Sequence, residues 1–421
     1  MTKEKPTEPR LRFPGFTDAW KQRKLGEVCS IQGGNAWKSD SYSLTGEYLV
    51  VTIANVTGEY FIDDKKGNRI DINPNEMQYV LRKGDILISL TGNVGRVSKM
   101  TESKGVLNQR VGKLMTTANL EFIFSILRTE KFENEMRLAS QGAAQANISN
   151  KDVLQYMIFF PALPEQEAIG SFFSDLDQLI TLHQRKLDDV KELKKALLQK
   201  MFPKGNGNDF PELRFPEFTD AWKQRKLGEV ADFSVKTNSL SRDKLSSYFY
   251  EVQNIHYGDI LTKYDVILNV SNEELPSIIE SKVSNFEDAL LVEGDIVFAD
   301  AAEDSTVGKA IEVRNLKGKN VVSGLHTIVA RPKFSYAPYY LGYLINSTAY
   351  HNQILPLMQG TKVSSISKAN LKLTTVAFPT LPEQEAIGSF FSDLDQLITL
   401  HQRQLDHLKL LKKALLQQMF I

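Results

Sequence analysis

The longest regular pattern of apolar and polar positions runs from Leu163 to Phe202 and recurs from Leu381 to Phe420, with five of forty residues different. Apolar side chains return alternately four and three positions apart, which is typical of a helix that pairs with another helix. We therefore predict one long amphipathic helix per copy, about 55 Å long at about 1.5 Å per residue. The predicted seam contains Phe173, Leu176, Ile180, His183, Leu187, Val190 and Leu197 in the first copy and Phe391, Leu394, Ile398, His401, Leu405, Leu408 and Leu415 in the second.

Polar residues interrupt this seam at matching positions. His183 and His401 are interpreted as a polar pair that fixes the register, with a metal-binding or pH-sensitive site as the alternative. Lys194 and Lys412 are expected to extend their ammonium groups out of the seam into water. Further leucines are expected to widen the apolar stripe, namely Leu179, Leu193 and Leu198.

The segment before each body also recurs, so the chain is a tandem repeat. Residues 11 to 28 return as residues 213 to 230 with one substitution. The apolar side chains of this header, Phe13, Phe16 and Trp20, are predicted to pack on the body that follows. Its KQRK run is expected to be a solvated face, with a phosphate or partner contact as the alternative.

The two bodies between header and helix differ in sequence but share a skeleton. Lys83 to Leu90, KGDILISL, answers Glu293 to Asp300, EGDIVFAD, and each pattern predicts a turn that leads into a β-strand. Further matches follow in the same order: Val94-Gly95-Arg96 with Val307-Gly308-Lys309, Gln141-Gly142 with Gln359-Gly360, and Ile148-Ser149 with Ile366-Ser367. We predict α+β bodies, with several short strands first and one or two helices after them.

The order of the repeats predicts how the parts are arranged. Only about ten residues join the first helix to the second header, so an antiparallel helix pair would bring each header to its own body. We predict a pseudo-twofold tandem of two similar globular α+β domains, separated by two long antiparallel helices that form a coiled coil. The expected parts are residues 1–160 for the first header and domain, 161–203 for the first helix, 204–378 for the linker, second header and second domain, and 379–421 for the second helix.

Composition limits the class of protein. The chain has 421 residues, of which 42% are hydrophobic and 24% charged, and no apolar run is long enough to cross a membrane. Because the N-terminus also lacks an apolar signal core, we expect a cytoplasmic protein. The single cysteine, Cys29, excludes an internal disulfide framework, and its counterpart Ala231 indicates a core residue and not a nucleophile.

The charge balance argues against a simple nucleic-acid binder. Basic and acidic residues number 51 each, whereas domains that bind DNA on their own usually carry a basic excess. A neutral chain can still bind DNA where its cations face one side or where partner subunits add more.

Four motifs, in the same order in both repeats, resemble the specificity subunit of type I restriction-modification systems. They are the F-x-x-x-W-x-x-x-x-L-G-E header (Phe16 to Glu27 and Phe218 to Glu229), the G-D-I turns, the Q-G and I-S segments, and the P-x-L-P-E-Q-E-A-I-G-S-F-F entry to each helix (Pro161 to Phe173 and Pro379 to Phe391). The resemblance covers essentially the whole chain.

This resemblance implies a division of labour. Each target-recognition domain would read one half of a bipartite sequence in double-stranded DNA, and the helices would act as a ruler for the unread gap. Two modification subunits would bind the repeated regions to form an adenine-N6 methyltransferase. Restriction subunits would add the ATP-dependent endonuclease, so S-adenosylmethionine, ATP and Mg²⁺ are expected on the partners and no cofactor on this chain.

The motifs of such catalysts are absent from the sequence. It contains no G-x-x-x-x-G-K-[ST] phosphate loop, and Asn73-Pro74-Asn75 lacks the N-P-P-aromatic sequence with which adenine methyltransferases hold a flipped base. We therefore predict no catalytic residue and no metal site in this chain.

Candidate DNA-reading residues are Arg, Lys, Asn, Gln, Thr and His side chains in loop-like stretches, because such groups match base edges in the major groove. In the first body they are Gln32, Asn35, Lys38, Thr91, Asn93, Arg96, Asn108, Gln109, Arg110, Gln145 and Asn147. In the second body they are Lys236, Asn238, Arg242, Asn254, His256, Lys309, His326, Thr361 and Lys362.

Two other functions stay open at the level of sequence. A duplicated protein-interaction scaffold without DNA specificity would explain the zero net charge. A chain with its own methyltransferase or nuclease site is the second alternative, although it requires a motif that the sequence does not display.

Overall fold

The computed structural model describes residues 8–141, 146–204 and 209–421. The chain forms two compact units. Unit 1 contains the residues up to Lys186 together with His401–Ile421, and unit 2 contains Leu187–Leu400. Each unit therefore takes one half of each long helix, a division that the expected four-part scheme did not include.

Strands dominate the first part of unit 1. They are β1 (Lys21–Lys24), β2 (Cys29–Gly33), β3 (Tyr48–Val51), β4 (Arg69–Ile70), β5 (Val80–Leu81), β6 (Ile86–Ser89), β7 (Val97–Lys99), β8 (Gly105–Leu107), β9 (Val111–Thr116) and β10 (Met157–Phe160). One sheet has the order β2-β9-β6-β7 and is antiparallel, whereas the second, β4-β3-β8-β5, pairs β3 and β8 in parallel. Three helices follow β9, namely α1 (Leu120–Ile126), α2 (Glu130–Ala139) and α3 (Asn150–Leu154).

The first long helix, α4 (Leu163–Lys200), begins in unit 1 and ends in unit 2. Unit 2 then repeats the strand-rich plan with β11 (Lys223–Lys226), β12 (Ala231–Asp232), β13 (Leu245–Ser246), β14 (Val252–Ile255), β15 (Ile267–Asn269), β16 (Ser277–Ile278), β17 (Ile296–Ala299), β18 (Ala301–Ala302), β19 (Ala310–Arg314), β20 (Asn320–Ser323), β21 (Thr327–Pro332), β22 (Ser364–Ser365) and β23 (Thr375–Phe378). Its helices are α5 (Leu227–Val230), α6 (Tyr257–Thr262), α7 (Tyr340–Ile345), α8 (Thr348–Ile354) and α9 (Lys368–Leu373), followed by the second long helix, α10 (Leu381–Met419).

The sheets of unit 2 match those of unit 1. The larger sheet has the order β12-β21-β17-β19-β15, and the smaller one, β13-β16-β14-β20, pairs β14 with β20 in parallel. The prediction of two similar α+β bodies is therefore confirmed, with short helices after the strands in both.

The central strands explain why each G-D-I turn leads into an unbroken apolar run. In β6, Ile86 and Ile88 pack into the core beside the helices, while Leu87 between them packs into the core shared with the second sheet. In β17, Phe298 and Val297 divide in the same way. A strand that is covered on both faces has no polar side to alternate with.

Each header is tied to its own body, as predicted. The KQRK run forms β1, which pairs antiparallel with β10 so that Lys21 lies opposite Phe160. Its side chains stay exposed. Trp20 is buried and meets Phe122 and Phe420 edge-on. The second header repeats this pairing between β11 and β23.

An arginine anchors each header to a helix entry. Arg12 donates from Nε and Nη2 to the two carboxylate oxygens of Glu165, at 2.7 and 2.8 Å. Arg214 makes the same two bonds to Glu383, both at 2.7 Å. Both glutamates are buried, and a two-pronged contact of this kind supplies the hydrogen bonds that a buried carboxylate requires.

The body also approaches each helix closely, which explains one glycine in each copy. A Cβ atom on Gly170 would lie 2.5 Å from Asn119 Oδ1, and one on Gly388 would lie 2.4 Å from the backbone oxygen of Pro338. Only a residue without a side chain permits this contact.

The two long helices run antiparallel within each unit, which confirms the prediction. In unit 1, Phe173 of α4 stacks on Phe420 just past the end of α10, and the His183 and His401 rings lie 5.6 Å apart. In unit 2, Phe391 of α10 stacks on Phe202 just past the end of α4.

The predicted seam residues are all buried or half-buried. The expectation for the two seam lysines was wrong: Lys194 and Lys412 are each only 8% exposed. Instead of extending into water, they form ion pairs with Asp395 and Asp177, respectively. The stripe is also narrower than predicted, because Leu179 and Leu193 are 41% and 50% exposed.

Candidate nucleic-acid interface

Three loops of unit 1 are joined edge to edge by backbone hydrogen bonds. Leu90, which follows β6, donates from its N–H to the backbone oxygen of Arg110 at 3.0 Å. It accepts from the N–H of Ile148 at 2.9 Å, and Gly92 donates to Ala146 at 2.8 Å. The loops after β6, before β9 and before α3 therefore lie side by side.

A fourth loop, which follows β2, joins this edge. Asn35 donates from its backbone N–H to Leu107 at 3.0 Å, and Gln109 donates to the backbone oxygen of Asn35 at 3.0 Å. Thr91 and Asn147 are bonded side chain to side chain at 3.1 Å. The structure thus brings together six of the predicted residues, namely Asn35, Thr91, Asn108, Gln109, Arg110 and Asn147.

The turn Asn108 to Arg110 is shaped by its own side chain. Asn108 Oδ1 accepts from the backbone N–H of Arg110 at 3.1 Å, a bond that stabilises a turn locally. Gln109 and Arg110 are both exposed. Their polar ends are therefore accessible to a ligand that approaches this edge.

The other candidates of the first body are placed differently. Gln32 donates to the backbone oxygen of Gln78 at 2.8 Å, while Lys38 and Asn93 are exposed. Arg96 lines a cleft beside the long helices together with Asp177, so it does not belong to the loop edge. Gln145 lies outside the described residues.

The same backbone bonds recur in unit 2. Asp300, which follows β17, donates to the backbone oxygen of His326 at 3.0 Å and accepts from Ile366 at 2.9 Å, and Asn238 donates to Ser323 at 3.0 Å. His326 therefore occupies the place of Arg110, and Asn238 that of Asn35. The frame of the edge is kept while its side chains differ.

His326 is held in a defined orientation. Its backbone φ of +54° lies in the left-handed region, which is uncommon for a residue with a side chain. Its Nδ1 lies 3.3 Å from Asp300 Oδ1, and its ring meets Tyr257 edge-on at 5.2 Å. Burial raises the pKa of the Asp300 carboxyl, and the neighbouring His326 opposes that shift.

Three candidates of the second body serve the fold and are withdrawn as base readers. Asn254 is 0% exposed, and its Oδ1 accepts from Asn238 Nδ2 at 2.8 Å. His256 is buried and accepts from the Gly258 N–H at the start of α6; burial lowers its pKa. Lys309 donates to two backbone oxygens, at 3.2 and 2.9 Å, and lies away from the edge. Groups bonded inside the fold cannot also reach a base.

The remaining candidates of unit 2 are on the surface. Arg242 donates to Asp259 at 2.9 Å beside His256, and Lys236 contacts Asp288 at 3.2 Å. Thr361 and Lys362 are exposed in the loop closed by the pairing of Gln359 with Ser365.

Sequence reasoning missed a set of exposed apolar side chains. Leu44 is 97% exposed, Tyr248 80% and Phe249 77%. Leu44 and Tyr248 each lie four residues before the parallel strand of their smaller sheet, β3 or β14. The search considered polar groups only, although an apolar residue among Ser, Thr and Gly is itself typical of a contact surface.

No group of three or more His, Cys, Asp or Glu side chains in the described ranges is arranged to hold a metal ion. Within the same ranges, no helix is long and apolar enough to span a membrane. Cys29 is buried in the core, as predicted, and burial raises the pKa of its thiol.

Comparison with known families shows what the repeated edge belongs to. The model of the type I restriction modification DNA specificity domain matches residues 17–192 and again residues 219–410. The chain belongs to this family. Each specificity domain begins in a header and ends within a long helix, so the repeat found in the sequence is the family's own unit.

Relatives of the specificity family align over nearly the whole chain. The chain is 23% identical to the type I restriction enzyme MjaVIII specificity subunit of Methanocaldococcus jannaschii, which covers 96% of this chain and 92% of that protein. It is 22% identical to the putative MjaX specificity subunit of the same organism, covering 94% and 92%.

Solved structures support the fold. The S subunit of a type I restriction-modification system from M. genitalium superposes with a TM-score of 0.63 at 14% identity, covering 98% of this chain and 99% of that one. A chain from a structure described for assembly and conformational transition of the type I system gives 0.51 at 16% identity, covering 95% and 97%. The family match favours DNA specificity over the duplicated protein-interaction scaffold.

Proposed function

We propose that this chain is the DNA-specificity subunit of a type I restriction-modification complex, in which the loop edge of each unit reads one half of a bipartite DNA site. The observation that carries the proposal is the repeated backbone frame with different side chains on it, Arg110 in unit 1 and His326 in unit 2. A common frame with exchanged side chains is what two readers of different half-sites require.

The two readers differ in the chemistry that they offer. An arginine such as Arg110 can donate two hydrogen bonds to the O6 and N7 atoms of guanine in the major groove. His326, with its Nδ1–H directed to Asp300, presents Nε2 as an acceptor when the ring is neutral. An acceptor selects the amino groups of cytosine or adenine. The two half-sites should therefore differ at the base pair that these residues contact.

The chain itself supplies recognition and no catalysis. Modification subunits, two per chain, would transfer the methyl group to adenine N6 from S-adenosylmethionine, and restriction subunits would use ATP and Mg²⁺. The described part of the chain offers no metal cluster for either reaction. The long helices would set the length of the unread gap.

Exposed leucines on the long helices supply docking positions for the modification subunits. In unit 1, Leu179 and Leu182 of α4 are 41% and 48% exposed. In unit 2, the matching Leu397 and Leu400 of α10 are 38% and 51% exposed. Exposed apolar side chains repeated in this way are typical of a protein contact, and two copies agree with two modification subunits.

A body exchange tests the reading function. Residues 231–378 are replaced by the equivalent body of another family member, and the methylated sites are mapped after assembly with the modification subunits. We expect one half-site to change and the other to stay. A change in both half-sites, or in neither, would contradict the proposal. A salt titration adds a second test, because binding through DNA phosphates weakens steeply with salt, whereas binding of peptides to an apolar scaffold does not.

Charge substitution tests the docking positions. Leu179→Glu and Leu397→Glu should each lower the number of bound modification subunits from two to one, as measured by native mass spectrometry. Gln199→Glu adds the same charge at another exposed position of α4 and should leave two bound. Full assembly of both leucine variants would place the docking surface elsewhere.

A further inference from the structure

Two histidines of unit 1 face each other where the long helices cross. His183 of α4 and His401 of α10 occupy the same position of the repeated helix sequence, and their ring centroids lie 5.6 Å apart with a 56° angle between the planes. Both side chains are half-buried. The pair therefore lies at a helix contact and not on an open surface.

The inner nitrogen of each ring has no protein partner. Nδ1 of His183 and Nδ1 of His401 are inaccessible to solvent, and neither makes a hydrogen bond. A pair that served only to fix the helix register would be expected to bond to itself or to a neighbour, since buried polar atoms are nearly always satisfied. Here the buried side of both rings presents a nitrogen with an unused lone pair or proton.

The spacing of the rings distinguishes between two possible bridging groups. Two imidazoles on one tetrahedral or trigonal ion, with metal–nitrogen bonds of about 2.1 Å, place their ring centroids about 5 to 6 Å apart. A water molecule that bridges the same nitrogens through hydrogen bonds of about 2.9 Å separates the centroids by about 6.5 Å. The observed 5.6 Å agrees with the metal ion.

We propose that His183 and His401 form a two-nitrogen site for a divalent transition-metal ion that joins the long helices at their crossing in unit 1. Imidazole nitrogens suit Zn²⁺, Cu²⁺ and Ni²⁺, whereas Mg²⁺ and Ca²⁺ prefer oxygen ligands. Because no third His, Cys, Asp or Glu completes a cluster in the described ranges, solvent fills the remaining positions. The site is independent of DNA reading.

The consequence is a bond between distant parts of the chain. His183 precedes the second body and His401 follows it, so the ion closes a loop that contains the whole of unit 2. Metal binding to the folded chain stabilises it in proportion to occupancy. The helix pair would then be more resistant to separation with the ion than without it.

The test uses the full untagged chain, freed of metal by a chelator. Isothermal titration with Zn²⁺ should show one ion per chain, and Mg²⁺ should show none. His183→Asn and His401→Asn should each abolish this binding and the accompanying rise in melting temperature. His407→Asn, which removes an exposed histidine from the same helix, is the matched control and should bind as the wild type does.

The outcomes are decisive in both directions. Absence of Zn²⁺ binding to the wild type, or equal binding by His183→Asn, would overturn the site. If either variant fails to fold, the electron paramagnetic resonance spectrum of Cu²⁺ on the wild-type chain replaces the comparison. Coupling to two imidazole nitrogens supports the proposal, and coupling to one or none overturns it.

Discussion

The two units place a lysine–aspartate pair at the same position of the helix contact, yet they surround it differently. In unit 1, Asp177 accepts from Lys412 and also from Arg128 Nη1, the latter at 2.6 Å. All three side chains are at most 10% exposed. A single carboxylate thus compensates two buried cations.

Unit 2 has the reverse balance. Asp395 accepts from Lys194 and from the hydroxyl of Tyr343, at 2.6 Å for the latter. Lys194 also lies 3.3 Å from Asp265, whose side chain is 64% exposed. Here a single lysine faces two carboxylates, and burial raises the pKa of Asp395, with repulsion from Asp265 adding to the shift.

The comparison shows how a constant helix pair can carry different bodies. The lysine and the aspartate come from the repeated helices, whereas the third partner, Arg128 or Tyr343, comes from the body. A body therefore fits the frame if it adds any group that hydrogen-bonds to the aspartate. This is a weaker demand than a matching sequence, and it agrees with bodies that share few residues.

The largest expected effect separates the two clusters. Asp177→Ala should lower the free energy of unfolding of unit 1 by about 3–5 kcal/mol, because it leaves Lys412 and Arg128 buried without a counter-charge. Asp395→Ala should cost clearly less, because Asp265 still faces Lys194. Urea unfolding, with hydrogen exchange to assign the transition to each unit, measures both. Equal costs would refute the proposed difference in balance.

The next effect concerns pH. Burial, helped by the nearby Arg128, lowers the pKa of Lys412 from its ordinary 10.5 to about 8. Between these two values the unfolded chain holds the proton that the folded chain has released, so the free energy of unfolding rises with pH. We expect this contribution to grow by about 2 kcal/mol from pH 7.5 to 9.5.

Lys412→Met is the reference for this pH effect. It leaves Asp177 paired with Arg128 and removes the titrating group. The difference in unfolding free energy between wild type and variant should therefore widen in favour of the wild type as pH rises. Parallel pH profiles would show that Lys412 keeps its ordinary pKa in the folded chain.

The fate of the two seam lysines shows what periodicity predicts and what it leaves open. Spacing alone placed Lys194 and Lys412 in the seam and predicted that the helices are antiparallel. It did not identify Asp177 and Asp395 as their partners, because each pair joins residues about 200 positions apart in the chain. A charged seam position predicts exposure only when no opposite charge meets it, and that depends on the fold.

The loop edge illustrates the same limit for function. Residue type and loop position selected Asn35 and Arg110, which the structure places on the edge, but equally Asn254 and Lys309, which it does not. Which asparagine faces outwards is decided by the strand to which it belongs. The Gly-Asp and I-S matches between the bodies contained the frame, and aligning the loops through them would have paired Arg110 with His326.

Substitution at that matched pair sharpens the comparison at the level of DNA. Arg110→Ala should relax the preference at one position of one half-site by about 1–3 kcal/mol, and His326→Ala should do so in the other half-site only. Methylation of site libraries by the assembled complex measures both. Asn254→Ala is not a suitable control, because it disturbs the core; Lys236→Ala, at an exposed ion pair, should leave both preferences unchanged. Loss of preference in the same half-site for both variants would show that the two edges do not read separate sequences.

The smallest effect tests the two headers, which are nearly identical in sequence but not in hydrogen bonding. Trp222 Nε1 donates to Glu383 Oε1 at 3.3 Å, whereas the matching Nε1 of Trp20 is buried without a partner. Replacement by phenylalanine removes the same atoms in both places, so the cost of lost packing should largely cancel. Trp222→Phe should then destabilise its unit by about 1 kcal/mol more than Trp20→Phe does, because it alone breaks a hydrogen bond to a carboxylate. Hydrogen exchange resolved by unit gives the two values. A larger cost for Trp20→Phe would mean that its N–H is satisfied in solution, and the headers would then differ less than their contacts indicate.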